Sequence, residues 1–335
     1  MYSEEGLVPL LIKGYKEVVP NWLKFRYGAR RTLSDPAILR GHIDQYLLRQ
    51  LNVLYHNYFT EQTGENFLDK DWDNLVLLDA CRYDAFERTV TLDGELDSIM
   101  SLGSKSATFM ERNFSGNEYH DTVYVTANSY AATYARDVFH DVITLWDDDW
   151  DEELQAVPPE AVTRAAVEAH EKYPDKRLLI HYMQPHAPWI GDKGKQFIED
   201  NGLRGANSKY PDEQTIDTYS AVFHNLIDCT DEELVEIYDE NLEVVMECVK
   251  DLLSKIDGKT VLSADHGEML GETSHPIPIS CYGHPEVPTD ELRRVPWFVV
   301  AGGSRRTVVS EPPKEETTAD ADVAEERLRA LGYKE

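Results

Sequence analysis

Asn74-Leu75-Val76-Leu77-Leu78-Asp79 and Lys259-Thr260-Val261-Leu262-Ser263-Ala264-Asp265-His266-Gly267-Glu268 are the two stretches on which the fold turns. Each is a short Val- and Leu-rich run bounded by polar residues, the pattern of an interior strand covered on both faces. In open α/β sheets the ligand site lies beyond the strands' carboxyl ends, so an acid at each of those ends is placed for chemistry. Adjacent carboxylate and imidazole in Asp265-His266 offer hard and borderline donors to a divalent cation, and Gly267 is expected to free the backbone to turn. Asp79, Asp265 and His266 are therefore expected to converge on one cation. A second cation would need His186 or His284 beside it.

Outward from these strands the pattern alternates. Strands are expected at 74–79, 122–126, 142–146, 178–183, 259–264 and 295–301, with helices near 81–90, 129–138, 159–172 and 231–255 between them. That order implies an α/β protein with a mostly parallel central sheet and helices on both faces. Residues 37–59 show Leu39, Ile43, Tyr46, Leu47, Leu51 and Leu54 at helical spacing, and Asp320 to Leu331 reads as a charged helix capped by Gly332. The expected domains are a helical extension over 1–70, a catalytic α/β domain over 71–310 and an acidic helical tail over 311–335. Residues 191–215 read as a loop-rich insertion. No repeat, P-loop, G-x-G-x-x-G or H-E-x-x-H is present.

The 335 residues carry 33 Lys and Arg against 62 Asp and Glu, a net charge of −29. Such a balance excludes general nucleic-acid binding, which needs a basic footprint. It predicts a salt-loving host such as a halophilic archaeon, because molar salt shortens the Debye length to about 3 Å and screens self-repulsion. Residues 1–50 are the exception, with eight basic residues against five acids, or +3, which leaves −32 for the rest. This segment is expected to face its own acidic body or an anionic lipid surface. No apolar stretch approaches the ~20 residues of a membrane span, and the start lacks a secretory signal. A cytoplasmic protein is expected, with peripheral contact at the membrane inner face open to the N-terminal segment. Cys81, Cys229, Cys248 and Cys281 have no metal-type spacing and read as reduced, structural thiols.

Further polar residues fall just after expected strands: Asn128, His181 and His186, with His284 in the loop after Asp265-His266-Gly267-Glu268. Strand ends in a doubly wound sheet share one rim, so these residues can share one pocket. The prolines beside His186 in Gln184-Pro185-His186-Ala187-Pro188-Trp189 mark it out; His140, His170, His224 and His275 read as surface or core residues.

Leu77-Leu78-Asp79-Ala80-Cys81-Arg82-Tyr83-Asp84, Pro185-His186-Ala187-Pro188, Ser263-Ala264-Asp265-His266-Gly267-Glu268 with Leu270-Gly271-Glu272, and Leu292-Arg293-Arg294-Val295-Pro296-Trp297 occur in an order that resembles the alkaline phosphatase superfamily, nearest its sulfatase-like branch. The resemblance covers about residues 70–310, and the Leu331-Gly332-Tyr333 ending is also similar to sulfatase tails. It implies an alkaline phosphatase-like fold and one or two divalent ions (Mn, Zn, Mg or Ca) on Asp79, Asp265 and His266, with His284 as a further ligand. It also implies a nucleophile at a helix N-terminus, where a cation lowers its pKa and helix amides point at the transferring group. In Ser101 to Phe114 that nucleophile would be Ser106, with Thr108 the runner-up. Lys105, Arg112, Asn128 and His181 are the expected substrate contacts, and His186 would assist catalysis.

Two departures from the family pattern bear on the substrate. Neither C-x-P-x-R nor S-x-P-x-R occurs, and Asp79-Ala80 stands where sulfatases often carry paired aspartates. Both favour phosphomonoester, phosphodiester or phosphonate chemistry, or transfer as in the phosphoethanolamine transferases and lipoteichoic acid synthases. The expected activity is metal-dependent hydrolysis or transfer of a phosphate or sulfate ester, small or glycan- or lipid-linked, through a covalent Ser or Thr intermediate. The alternatives are a catalytically inactive relative serving in assembly or at a membrane surface, and a phosphometabolite mutase.

Overall fold

The computed structural model describes residues 36–59, 63–201, 218–223 and 227–314. The segment before residue 36, residues 202–217, His224 and the expected helix from Asp320 to Leu331 lie outside the described residues. At the centre of the sheet is β1 (Asn74–Leu78), buried at all five positions. It runs parallel to β5 (Arg177–Tyr182) on one side and to β6 (Thr260–Ser263) on the other, with Leu77 opposite both His181 and Ser263. Beyond β5 lie β3 (Tyr119–Thr126) and β4 (Phe139–Thr144), also parallel. Helices on both faces keep water from this core, which is why β1 is a continuous apolar run rather than an alternation.

The sheet is mostly parallel, as expected, and its antiparallel part is the far edge. β9 (Arg294–Val300) is antiparallel to β6, and β2 (Gly94–Met100) is antiparallel to β9, giving the order β2-β9-β6-β1-β5-β3-β4. β2 has a single buried position, Ile99, so burial does not impose an apolar pattern on it. A separate antiparallel ribbon of β7 (Met269–Ser274) and β8 (Ile279–Gly283) follows β6.

Helix α1 (Pro36–Phe59) docks on this ribbon through Leu48 and through Asn52, whose amide bonds Ser274 Oγ and the Ile277 carbonyl. None of the described helices is long and apolar enough to cross a membrane. Phe67 and Leu68 are buried in the main core with Trp72. At the other end of the chain, Arg305 and Arg306 bind Asp73 and Asn74 at the amino end of β1, and Lys176 pairs with Glu311. Residues 304–314 thus strap the base of the sheet.

Three helices position the site. α2 (Tyr83–Thr89) follows β1 after the turn Ala80-Cys81-Arg82, and α3 (Ser106–Phe114) starts at Ser106. The long α8 (Asp231–Leu253), which follows α4 (Ala131–Tyr134), α5 (Pro159–Lys172), α6 (Asp192–Asn201) and α7 (Thr218–Phe223), opens on a capping box. Thr230 Oγ accepts from the Glu233 N–H, and the Glu233 carboxylate accepts from the Thr230 N–H. Its buried face carries Leu234, Ile237, Leu242, Val245 and Val249, interrupted by Tyr238 and Asn241.

Candidate active site

The carboxyl ends of β1, β3, β5 and β6 deliver Asp79, Asn128, His181 and Asp265 to one rim, as parallel strands require. Donor atoms of Asp79, Asp265 and His266 lie within 4.8 Å of one another, all three residues buried. Each carboxylate commits one oxygen to the protein. Asp79 Oδ2 accepts from Asn128 Nδ2 at 2.7 Å and Ser106 Oγ at 3.1 Å, with His181 Nε2 at 3.3 Å. Asp265 Oδ1 accepts from the Ala80 N–H at 3.1 Å and the His266 N–H at 2.9 Å. That leaves Asp79 Oδ1 and Asp265 Oδ2, and Asp265 Oδ2 is buried with no hydrogen-bond partner among the described residues.

His266 completes this group. Its Nδ1 faces the Gly267 carbonyl at 2.7 Å; a carbonyl only accepts, so Nδ1 carries the proton and Nε2 presents a lone pair. Nε2 stands 3.7 Å from Asp79 Oδ1 and 3.5 Å from Asp265 Oδ2. A buried carboxylate oxygen without a donor costs several kcal/mol unless a cation meets it. Two bare carboxylate oxygens and one bare imidazole nitrogen fit a divalent ion such as Mn, Zn or Mg. The fit therefore rests on this chain's own orphaned atoms.

A second group lies alongside: His186, Glu268 and His284, again with donor atoms within 4.8 Å. The ring of His284 is 5.0 Å from that of His266 and 5.1 Å from that of His186. His284, expected as a metal ligand and as a neighbour of any second cation, lies here with His186 and Glu268. The reason is the ribbon, whose register pairs Met269 with Gly283 and so brings the flanking Glu268 and His284 together, Nδ1 to Oε1 at 3.3 Å. Glu268 Oε2 is buried with no hydrogen-bond partner among the described residues, and the Nδ1 of His186 faces the Ala187 carbonyl, leaving its Nε2 toward the group.

Electrostatics follow from burial. Burial alone would raise the Asp79 carboxyl, but the hydrogen bond and charge of His181, with His266 and His186 nearby, hold it below the ordinary carboxylate range. For His181 burial works toward the neutral form, while Asp79 and Asp265 outweigh it and raise the imidazole. The same opposition raises His284, with Glu268 as the stabilising partner.

Ser106 opens α3 with its hydroxyl donating to Asp79 Oδ2, 3.4 Å from His266 Nε2. Gly103 makes this possible, since a Cβ there would stand 2.4 Å from the Phe109 nitrogen. Gly267 also acts by close approach rather than by a special turn: a Cβ would meet the Glu291 carbonyl at 2.0 Å, and its N–H bonds the Leu292 carbonyl. Thr108 is half-buried on the same helix. Lys105 pairs with Glu286, and Arg112 bonds the Leu102 carbonyl. His181 is wholly buried beneath the carboxylates, its Nδ1 bonded to the Tyr124 hydroxyl at 2.9 Å.

Supporting residues escaped the sequence reading. Tyr238 donates to the Ala80 carbonyl and accepts from the Arg82 N–H, holding the turn after Asp79 in which Ala80 has a φ of 59°. Asn241 bonds the Pro185 carbonyl and the Ile190 N–H, fixing the loop of His186. A polar residue on the apolar face of a long helix was the available signal.

No protein-family model matches the chain, and no curated protein matches it in sequence. Among solved structures it resembles the integral membrane lipooligosaccharide phosphoethanolamine transferase EptA of Neisseria meningitidis, at 15% identity and a TM-score of 0.40 over 67% of this chain and 47% of that one. The chain thus spans about half the length of that protein. It also resembles the C-terminal periplasmic domain of Escherichia coli EptC in complex with Zn, at 12% identity and a TM-score of 0.39 over 73% and 77% of the two chains. A third likeness is to the sulfatase-type protein YidJ of Bacteroides fragilis, at 19% identity and a TM-score of 0.24 over 43% and 31% of the two chains. Likenesses this distant do not transfer an activity.

Proposed function

We propose that this chain is a metal-dependent hydrolase or transferase of phosphate or sulfate esters, working through a covalent intermediate on Ser106. The observation that carries the reading is the Ser106 hydroxyl, 3.1 Å from Asp79 Oδ2 at the start of a helix, beside two ligand groups with bare donor atoms. Asp79, Asp265 and His266 would hold one divalent cation, and His186, Glu268 and His284 a second. Cations there would lower the hydroxyl's pKa and offset the negative charge on the transferring group.

The chain's own residues supply the rest. Asp79 Oδ2 orients the hydroxyl and accepts its hydrogen bond, so the oxygen lone pair faces the open rim. Attack forms the Ser106 Oγ bond to phosphorus or sulfur and breaks the ester bond; the proton that the hydroxyl releases to solvent is balanced by the one the departing alcohol takes up from it. Water or a second alcohol then takes the group from Ser106; which one does so separates hydrolase from transferase. Asn128 and His181 keep Asp79 ionised and oriented. The sequence motifs support an ester that is small or glycan- or lipid-linked, with phosphate favoured by the missing C-x-P-x-R.

Elemental analysis of purified protein, followed by nitrophenyl phosphate, phosphodiester, phosphonate and sulfate esters with Mn, Zn, Mg or Ca in molar KCl, tests the reading. Two bound divalent ions and turnover of at least one ester are expected. Protein that binds no divalent ion and cleaves none of the esters would end it.

A further inference from the structure

We propose that Arg82 is a positioning residue that locks Glu268, and with it the second ligand group, to the turn that carries Asp79; this rests on the two-cation reading above. Arg82 lies three residues beyond Asp79, and its guanidinium is almost wholly buried. Nε and Nη2 grip Asp84 through both carboxylate oxygens at 2.8 and 2.9 Å. Nη1 reaches across to the ribbon, donating to the Glu268 carbonyl at 3.1 Å and to Glu272. Glu272 in turn accepts from the Leu270 N–H at 2.7 Å, so the backbone is held on both sides of Met269. Tyr238 fixes the Arg82 backbone from α8.

The bonds of this one side chain join two turns that leave neighbouring strands. Among the described residues Glu268 Oε2 is buried with no hydrogen-bond partner, and the carboxylate otherwise meets the His284 ring, itself a member of the group, and the nearby Tyr219 hydroxyl. Asp84 and Glu272 are substantially exposed, so losing the guanidinium would not strand them as dry charges. The first group does not depend on Arg82 in this way, because Asp265 is held by the Ala80 and His266 amides. A planar fork serves three acceptors at once; an ammonium on a flexible stem does not reproduce it.

The test is calorimetric titration of chelator-treated protein with Mn²⁺ or Zn²⁺ in molar KCl. Asp265→Asn and Glu268→Gln serve to identify which binding class belongs to which group. Arg82→Lys is expected to weaken the Glu268 class about ten- to a hundredfold, the usual effect of removing a residue that orients a metal ligand, and to leave the Asp265 class unchanged. Glu272→Gln should weaken the same class by a smaller factor, and it carries the test if Arg82→Lys does not fold. Equal weakening of both classes, or no change in either, overturns the proposal alone. Wild-type protein with fewer than two classes removes the two-cation reading and this proposal with it.

Discussion

Ser106 and Thr108 are both hydroxyl residues on the first turn of α3, and helix geometry separates them. Two residues are about 200° apart around a helix, so when the first faces Asp79 the other is turned away. Ser106 is buried against Asp79 and His266, whereas Thr108 is half-buried on the opposite side. Ser106→Ala should therefore abolish ester turnover while leaving the metal content of purified protein intact, since the carboxylate oxygens proposed to hold the cation do not depend on the hydroxyl. Thr108→Ala should retain turnover within a few-fold of wild type. Activity and elemental analysis of the two variants decide the matter. Collapse in Thr108→Ala with normal turnover in Ser106→Ala would move the role two residues along, and full activity in both would end the covalent route.

At the scale of elements, α8 does two separable jobs. Its capping box stabilises the helix, and Thr230→Ala should cost ~0.5–2 kcal/mol in denaturant unfolding with metal content unchanged. Asn241 instead braces the loop of His186, and Asn241→Leu strands the buried Pro185 carbonyl and Ile190 N–H. Each such group costs about 1–3 kcal/mol. This variant should lose both stability and turnover; an Asn241→Leu protein with wild-type activity would mean that the loop holds itself. The same division explains what could be read in advance. β1 and β6 were legible because both faces are buried and their sequences are bare apolar runs ending in acids. Asp79, Asp265, His266 and Ser106 came with them, being fixed within a few residues of a strand or helix end. The edge strand β2 and the ribbon β7–β8 carry no such pattern, and the pairing of Glu268 with His284 depends on ribbon register across sixteen positions. Arg82, Tyr238 and Asn241 were hidden for a related reason: their hydrogen bonds join segments more than fifty residues apart.

Charge is a property of the whole molecule. With 33 basic and 62 acidic residues, complete pairing would still leave 29 acids unpaired (62 − 33). α8 alone turns Glu232, Glu233, Glu236, Glu243 and Glu247 away from the core. Salt acts on this surface in two opposed ways. It weakens exposed pairs such as Lys193–Glu236 and Lys255–Asp251, which contribute little, and it screens the repulsion among the unpaired acids. Repulsion involves the larger number of charges and a longer range, so screening should win, and the melting temperature should rise from dilute buffer to molar KCl. Most of the rise should come as the Debye length falls from about 10 Å at 0.1 M to about 3 Å at 1 M. Thermal melts in KCl and in tetramethylammonium chloride, at matched ionic strength and fixed divalent metal, separate screening from a specific bound potassium ion. Equal rises in the two salts are the expected result. A melting temperature that stays flat or falls in both would mean that the exposed pairs outweigh the excess acid, and the acidic surface would then need an explanation other than life in salt.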